Sequence, residues 1–304
     1  MHIVSDKDKT MKFFEYTKKM MHNSRMNEDC HITPDNVYQV AHTANRDILL
    51  DSVRIGHLKG SNVLGVENIL KLNELAEQGK SCIVLSEHVS NLDVPSLFAR
   101  FYDHPNEKLK EIFEKFIFVA GVKLNQNSLV KLYTEMFTRV VIYPIRSLEK
   151  MTDDKHREEV ELAKKINMRA TRKIAELRNK NQIFVMYPAG TRYRPWQPET
   201  KKGIKETTSY LNSFDYFCCA SINGNNMPPR DHEDMTREQF LEDVLVFNFG
   251  EVKSAKEYIT NLSTSQTKFA ADDKENIKQY IVDNIMEEID ILHEKAEEYR
   301  KQYL

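Results

Sequence analysis

No apolar run in this 304-residue chain approaches the roughly 20 residues that cross a bilayer, so no membrane span is expected. The opening Met1-His2-Ile3-Val4-Ser5-Asp6 lacks the apolar stretch of a secretory signal. Cysteine is scarce. Cys30, Cys82, Cys218 and Cys219 show no metal-site spacing, and Cys82, Cys218 and Cys219 sit in two strand-like apolar runs, which suits buried thiols in a reducing compartment. Neither sign of charge is in surplus: 44 basic residues stand against 46 acidic, a net of −2. That balance argues against a general nucleic-acid binder and leaves room for a local basic pocket. There is no G-x-S-x-G elbow to present a serine nucleophile. Internal repeats, low-complexity tracts and Pro/Gly-rich linkers are also missing. A mean hydropathy of −0.58 describes a soluble protein, long enough for one large domain or for one with a smaller companion.

The pattern of what is present changes near residue 78. Residues 1–78 read as an N-terminal helical domain. Thr33-Pro34-Asp35 has the form of a helix start, and Val37, Val40, Ala41, Ala44, Ile48 and Leu49 follow at helical spacing. A further helix is expected from Val66 to Gln78, with Gly79 closing it. Residues 79–304 then alternate short apolar runs with amphipathic helices. The runs are Cys82–Leu85, Ile117–Ala120, Val140–Ile145, Ile183–Tyr187, Tyr216–Ile222 and Val244–Phe249. Helices are expected over about 94–103, 126–137, 155–180 and 201–213, and a long charged one from about Asp272 to Tyr303. Such alternation predicts an α/β fold: a mixed, largely parallel sheet flanked by helices, preceded by the small helical domain. Ligands of such folds gather at the carboxyl ends of strands.

Two of the strand-to-helix junctions carry the chemistry. After the first run comes Ser86-Glu87-His88-Val89-Ser90-Asn91-Leu92-Asp93. Asp93, two residues before Pro95, reads either as a cap of the following helix or as a carboxylate folded back to hold the His88 imidazole. After the fourth run comes Tyr187-Pro188-Ala189-Gly190-Thr191-Arg192-Tyr193-Arg194-Pro195. Pro188, Gly190 and Pro195 impose an irregular backbone. Arg192 and Arg194 alternate on it, so an extended segment would project both guanidiniums the same way, toward a phosphate. A solvated pair of loop arginines is the alternative. The loop after the third run offers Arg146 and Lys150, either as further cations for the crevice or as solvent-facing charges. Met227-Pro228-Pro229 reads as a pocket wall or an ordinary rigid turn. The helix around Met11, Phe13, Phe14, Tyr16, Met20 and Met21, flanked by Lys12, Lys18 and Lys19, has packing as its first expectation and peripheral membrane contact as its second.

The ordered set H-V-S-N-L-D, I-Y-P-I-R-S, Y-P-A-G-T-R-Y-R-P and the apolar run before M-P-P resembles the four blocks of the glycerolipid acyltransferases, over about residues 60 to 250. The chain looks most like their soluble, plastid-type glycerol-3-phosphate acyltransferases, given its preceding helical segment, its lack of a span and its R-x-R-P ending. The resemblance implies that His88 is a general base and Asp93 its orienting partner. It implies that Arg192 and Arg194, with Gly190 shaping the turn, hold the phosphate of glycerol 3-phosphate, with Lys150 and then Arg146 as third-block cations. The family usually has Glu where this chain has Ala189, and the soluble branch tends to a Lys-His pair where Glu149 and Lys150 stand. The implied reaction is direct transfer of a fatty acyl group from acyl-carrier protein or coenzyme A to the sn-1 hydroxyl of glycerol 3-phosphate. No metal or cofactor is implied. A lysophosphatidate acyltransferase is the nearest rival, and a non-catalytic protein binding acyl-carrier protein or a membrane surface is the rival from another class. The expected compartment is the cytoplasm, or a plastid stroma if a transit peptide has been removed.

Overall fold

The computed structural model describes residues 7–25, 27–28, 31–125, 128–148, 156–231, 238–270 and 272–304. Its strands are β1 (Tyr38–Gln39), β2 (Asn62–Leu64), β3 (Cys82–Ser86), β4 (Phe116–Gly121), β5 (Arg139–Ile142), β6 (Ile183–Met186), β7 (Tyr216–Asn223), β8 (Val246–Phe249) and β9 (Lys253–Ser254). They form one sheet in the order β1-β5-β4-β6-β3-β7-β8-β2, with β9 pairing on β7. The five strands β5-β4-β6-β3-β7 are mutually parallel, whereas β1, β8 and β9 run antiparallel to their neighbours β5 and β7. Central parallel strands are covered on both faces and therefore read as unbroken apolar runs. β3, Cys-Ile-Val-Leu-Ser, is buried at every position.

The helices are α1 (Lys7–Met21), α2 (Arg46–Arg54), α3 (Val66–Glu77), α4 (Asp93–Tyr102), α5 (Lys108–Glu114), α6 (Ser128–Thr134), α7 (Ile145–Leu148), α8 (Arg157–Leu177), α9 (Glu206–Leu211), α10 (Ala255–Ser265) and α11 (Lys274–Arg300). They divide between the sheet's two faces. Because side chains alternate along a strand, Cys82, Val84, Phe118, Val185 and Cys218 point to one face. There they meet Leu49 and Val53 of α2, Ile69 and Leu72 of α3, Phe98 and Phe101 of α4, and Ile112 and Phe113 of α5. Their neighbours Ile83, Leu85, Ile117, Phe184 and Phe217 point to the other face, against Ile166 and Ile174 of α8, Leu211 of α9 and Ile281, Ile285 and Ile289 of α11. The three free cysteines among the described residues, Cys82, Cys218 and Cys219, are all buried. Burial pushes the Cys82 thiol up to about 12, which keeps it a neutral core group. Cys30 lies outside the described residues.

Three expectations need correcting. Residues 1–78 do not stand apart as a helical unit. β1 and β2 form the two edges of the sheet, and Met20, Leu50, Val63 and Ala76 share a core with the central strands. The supposed helix start at Thr33-Pro34-Asp35 is a turn, with the Asn36 amide donating to Thr33 O at 3.2 Å, proline at its second position and Asn36 Oδ1 accepting from the Thr33 amide. Second, the third run ends at Ile142, since Pro144 cannot donate to a ladder and its carbonyl instead accepts the Ser147 amide that starts α7. Third, the helix expected over 201–213 shortens to α9. Gly203 packs so tightly on α11 that a Cβ there would fall 2.2 Å from Val282.

Candidate active site

β3 and β6 are parallel neighbours paired Leu85 to Met186, so the loops leaving their carboxyl ends emerge side by side. That register sets the His88 ring on Tyr187, with centroids 4.0 Å apart and planes 14° from parallel. The β6 loop also grips the β3 loop through backbone: the Tyr193 amide donates to His88 O at 2.9 Å. Gly190 sits at φ 65° where its amide donates to Tyr187 O, a left-handed turn that glycine adopts freely. From the other side, the segment after β7 closes on the same loop. Asn225 Nδ2 donates to Val89 O at 2.8 Å and Ser90 Oγ to Met227 O at 3.1 Å. Met227 packs beneath it with Leu92, Phe240 and Phe13 of α1.

Of its two readings Asp93 takes the second: Leu92 is the cap residue of α4, and the Asp93 carboxylate turns back onto the His88 loop. Asp93 opens α4, and its Oδ2 accepts from the Val89 and Ser90 amides at 2.8 and 3.1 Å and contacts His88 Nδ1 at 2.7 Å. Two backbone donors fix that oxygen, so the imidazole is held with its proton on Nδ1 and with Nε2 left as a base. Asp93 is buried and His88 partly open to solvent. The arrangement can take a proton from a hydroxyl and carry the resulting imidazolium against a fixed carboxylate. Burial, with the Asp93 charge nearby, pushes the Tyr187 phenol well above its usual value of 10, so it stays protonated.

The cations are distributed differently from the expectation. Arg192 does not project freely. It is ion-paired at 2.8 Å with Glu238, with the two side chains 8% and 4% exposed, and Asn91 Nδ2 donates to the same carboxylate at 3.0 Å. Breaking such a buried pair from one side costs about 3–5 kcal/mol. Arg194 gives its Nη1 hydrogen to Thr191 Oγ1 at 2.9 Å, a neutral oxygen. Arg146 turns away to donate to Lys202 O at 2.8 Å, which braces the 198–202 turn. Lys150 lies outside the described residues.

Two groups not expected from sequence lie beside His88. Glu87 is buried and accepts from the Ile222 amide at 3.1 Å and from His293 Nδ1 of α11 at 2.8 Å. Burial opposes the charge on His293, but the Glu87 carboxylate outweighs it and raises the imidazole pKa. Lys201 lines a pocket of about 10 Å³ together with His88, Glu87, Thr191, Tyr193 and Asp290. Its Nζ stands 2.7 Å from Asp290 Oδ1, and the two side chains are 44% and 42% exposed. Exposed pairs of this kind are worth about 0–1 kcal/mol. A larger cavity, about 90 Å³, lies away from His88 at the β1–β5 edge. Its polar groups are committed to structure. Lys131 Nζ donates to Arg25 O and Glu28 O, and Glu135 accepts the Arg25 amide. No group of three or more potential metal ligands is present among the described residues, and no described helix is long and apolar enough to cross a membrane.

No protein-family model matches this chain, and no curated protein matches it. Among solved structures it is similar to the crystal structure of the 1-acyl-sn-glycerophosphate (LPA) acyltransferase PlsC from Thermotoga maritima. That match is 15% identical, covers 93% of this chain and 94% of that chain, and has a TM-score of 0.45.

Proposed function

We propose that this protein is an acyltransferase that moves a fatty acyl group from a thioester donor, acyl-carrier protein or coenzyme A, to the sn-1 hydroxyl of glycerol 3-phosphate. The observation that carries the reading is the His88–Asp93 pair, held at 2.7 Å by two backbone amides at the carboxyl end of a central strand. The four ordered sequence blocks support it: Y-P-A-G-T-R-Y-R-P leaves the neighbouring strand, and the M-P-P segment backs the His88 loop. In this reading His88 Nε2 takes the acceptor's hydroxyl proton and the alkoxide attacks the thioester carbonyl. The tetrahedral intermediate then collapses, and the imidazolium returns its proton to the departing thiolate. Transfer is direct, with no acyl-enzyme. Backbone amides of the active-site loops are the natural donors to the oxyanion.

One observation favours a second acceptor. α1 buries Phe13 and Met20 but leaves Met11, Phe14 and Met21 exposed beside Lys18 and Lys19, a face suited to a lipid surface. A membrane-resident lysophosphatidate would be met there. Competition between glycerol 3-phosphate and lysophosphatidate for one acyl donor, without detergent, separates the two. Monoacylated glycerol phosphate as the main product supports the proposal. Predominant phosphatidate replaces it with the second reading. No transfer to either acceptor sinks both.

A further inference from the structure

The acyltransferase reading needs a cation for the acceptor's phosphate next to His88, and Arg192 is already committed to Glu238. We infer that Lys201 receives the phosphate of the acceptor, an inference that rests on that reading. Lys201 lines the same pocket as His88 and is the one Lys or Arg among its described lining residues. Asp290 lines the pocket as well, and both side chains are partly open to solvent.

The two ion pairs of the site differ in how readily an anion can take one over. Arg192 and Glu238 are almost wholly buried, and Asn91 adds a further bond to the carboxylate, so exchange would strand a buried charge. The side chains of Lys201 and Asp290 are each partly open to solvent, although the contacting Asp290 Oδ1 is itself covered. The contact joins one ammonium to one carboxylate oxygen at 2.7 Å. A dianion with several acceptor oxygens outcompetes a single carboxylate for such an ammonium. Lysine also has the mobility for the exchange, with three donors on a flexible stem. The other nearby carboxylate, Glu87, is answered by His293 and by the Ile222 amide, so Asp290 is the principal charge in competition with the phosphate. Burial works against the charge on Lys201, but Asp290 outweighs it and keeps the group protonated.

Initial-rate kinetics at saturating acyl donor test this in wild type, Lys201→Gln, Lys201→Arg and Asp290→Asn. The acceptors are glycerol 3-phosphate, lysophosphatidate, and unphosphorylated glycerol and monoacylglycerol. Lys201→Gln should raise KM for whichever phosphorylated acceptor is used by about tenfold or more, the loss expected for a charge-assisted bond. It should leave the donor KM and the use of the unphosphorylated acceptor unchanged, and Lys201→Arg should recover part of the loss. Asp290→Asn removes the competitor and should lower the phosphorylated-acceptor KM. An unchanged acceptor KM in Lys201→Gln, or a rise in donor KM instead, overturns the inference. Should Lys201→Gln fail to fold, an unchanged or raised acceptor KM in Asp290→Asn overturns it independently. Failure of the acyltransferase reading shows in the wild type alone, as no transfer to any acceptor.

Discussion

Arg192 and Glu238, 46 residues apart in sequence, form a buried ion pair that ties the β6 loop to the segment before β8, with Asn91 of the His88 loop bonded to the same carboxylate. The pair welds three segments of the candidate site together. Its first consequence concerns stability rather than substrate. Arg192→Met removes the guanidinium that balances the buried Glu238 charge and should lower the unfolding free energy by about 3–5 kcal/mol. Replacing both partners, Arg192→Met with Glu238→Leu, should recover most of the loss, because two apolar groups leave no stranded charge. Urea unfolding of the single and double variants measures this. A single variant as stable as wild type would show that the pair is dispensable.

Removal of the base has the opposite signature. His88 is partly exposed and its ring is stacked on Tyr187, so His88→Ala should fold normally. Acyl transfer should fall by about a hundred- to ten-thousand-fold, the usual contribution of a general base. Asp93→Asn should also slow transfer, since an amide cannot stabilise the imidazolium as a carboxylate does. It should cost some stability as well, because Oδ2 accepts two backbone amides. Circular dichroism establishes the fold and product formation the rate. A folded His88→Ala protein with near-normal turnover would falsify the assignment of the base.

The sheet was legible in the sequence where strands are long and buried on both faces. β3, β4, β6 and β7 are continuous apolar runs, a pattern that solvent-facing segments do not sustain. The edges were not legible. β1 has two residues and β2 three, too short to show a period, and the apolar spacing around Val37 and Leu49 fits a helix template although a strand, a turn and α2 divide it. In the site, the contact of His88 with Asp93 spans five residues and was open to inference. Glu87 meets His293 across 206 residues and Arg192 meets Glu238 across 46, and no local pattern encodes such meetings. Lys201 went unread for a related reason: a lysine in a loop carries no sign of the pocket that α11 completes.

Gly65 joins β2 to α3 with φ 66°, and a Cβ built there would lie 1.9 Å from Phe249 O on β8. Gly65→Ala should therefore destabilise the fold. The left-handed backbone alone costs an L-residue about 1–2 kcal/mol, and the clash with a strand carbonyl adds to it because backbone cannot rotate aside. Thermal unfolding should show a lowered Tm. Gly79→Ala provides the comparison, since φ there is also positive at 79° but nothing lies within 4 Å of the added methyl. The smaller loss belongs to Gly79→Ala, and equal losses would mean that the Phe249 contact is relieved without cost.

Acid should destabilise the protein through His57. Its ring nitrogens are buried, no described group bonds either of them, and burial pushes the imidazole pKa down to about 3, with Arg100 and Arg54 adding to the shift. An unfolded histidine titrates near 6.5, so between about pH 6.5 and 3 the unfolded chain holds a proton that the folded chain refuses. Stability therefore rises with pH across that window and falls as the medium is acidified, by up to about 1.4 kcal/mol per unit from this one group. The Glu87–His293 pair has the opposite sign: its raised pKa lends stability that is fully present below 6.5 and fades as pH rises through the folded value. The two windows are thus separated at about the unfolded pKa. His57→Phe should flatten the acid limb of a stability-against-pH profile while leaving the alkaline limb in place, and His293→Gln should do the reverse. Denaturant midpoints from pH 4 to 9 for both variants test the assignment. An acid limb in His57→Phe as steep as wild type would place the proton-linked loss on other groups.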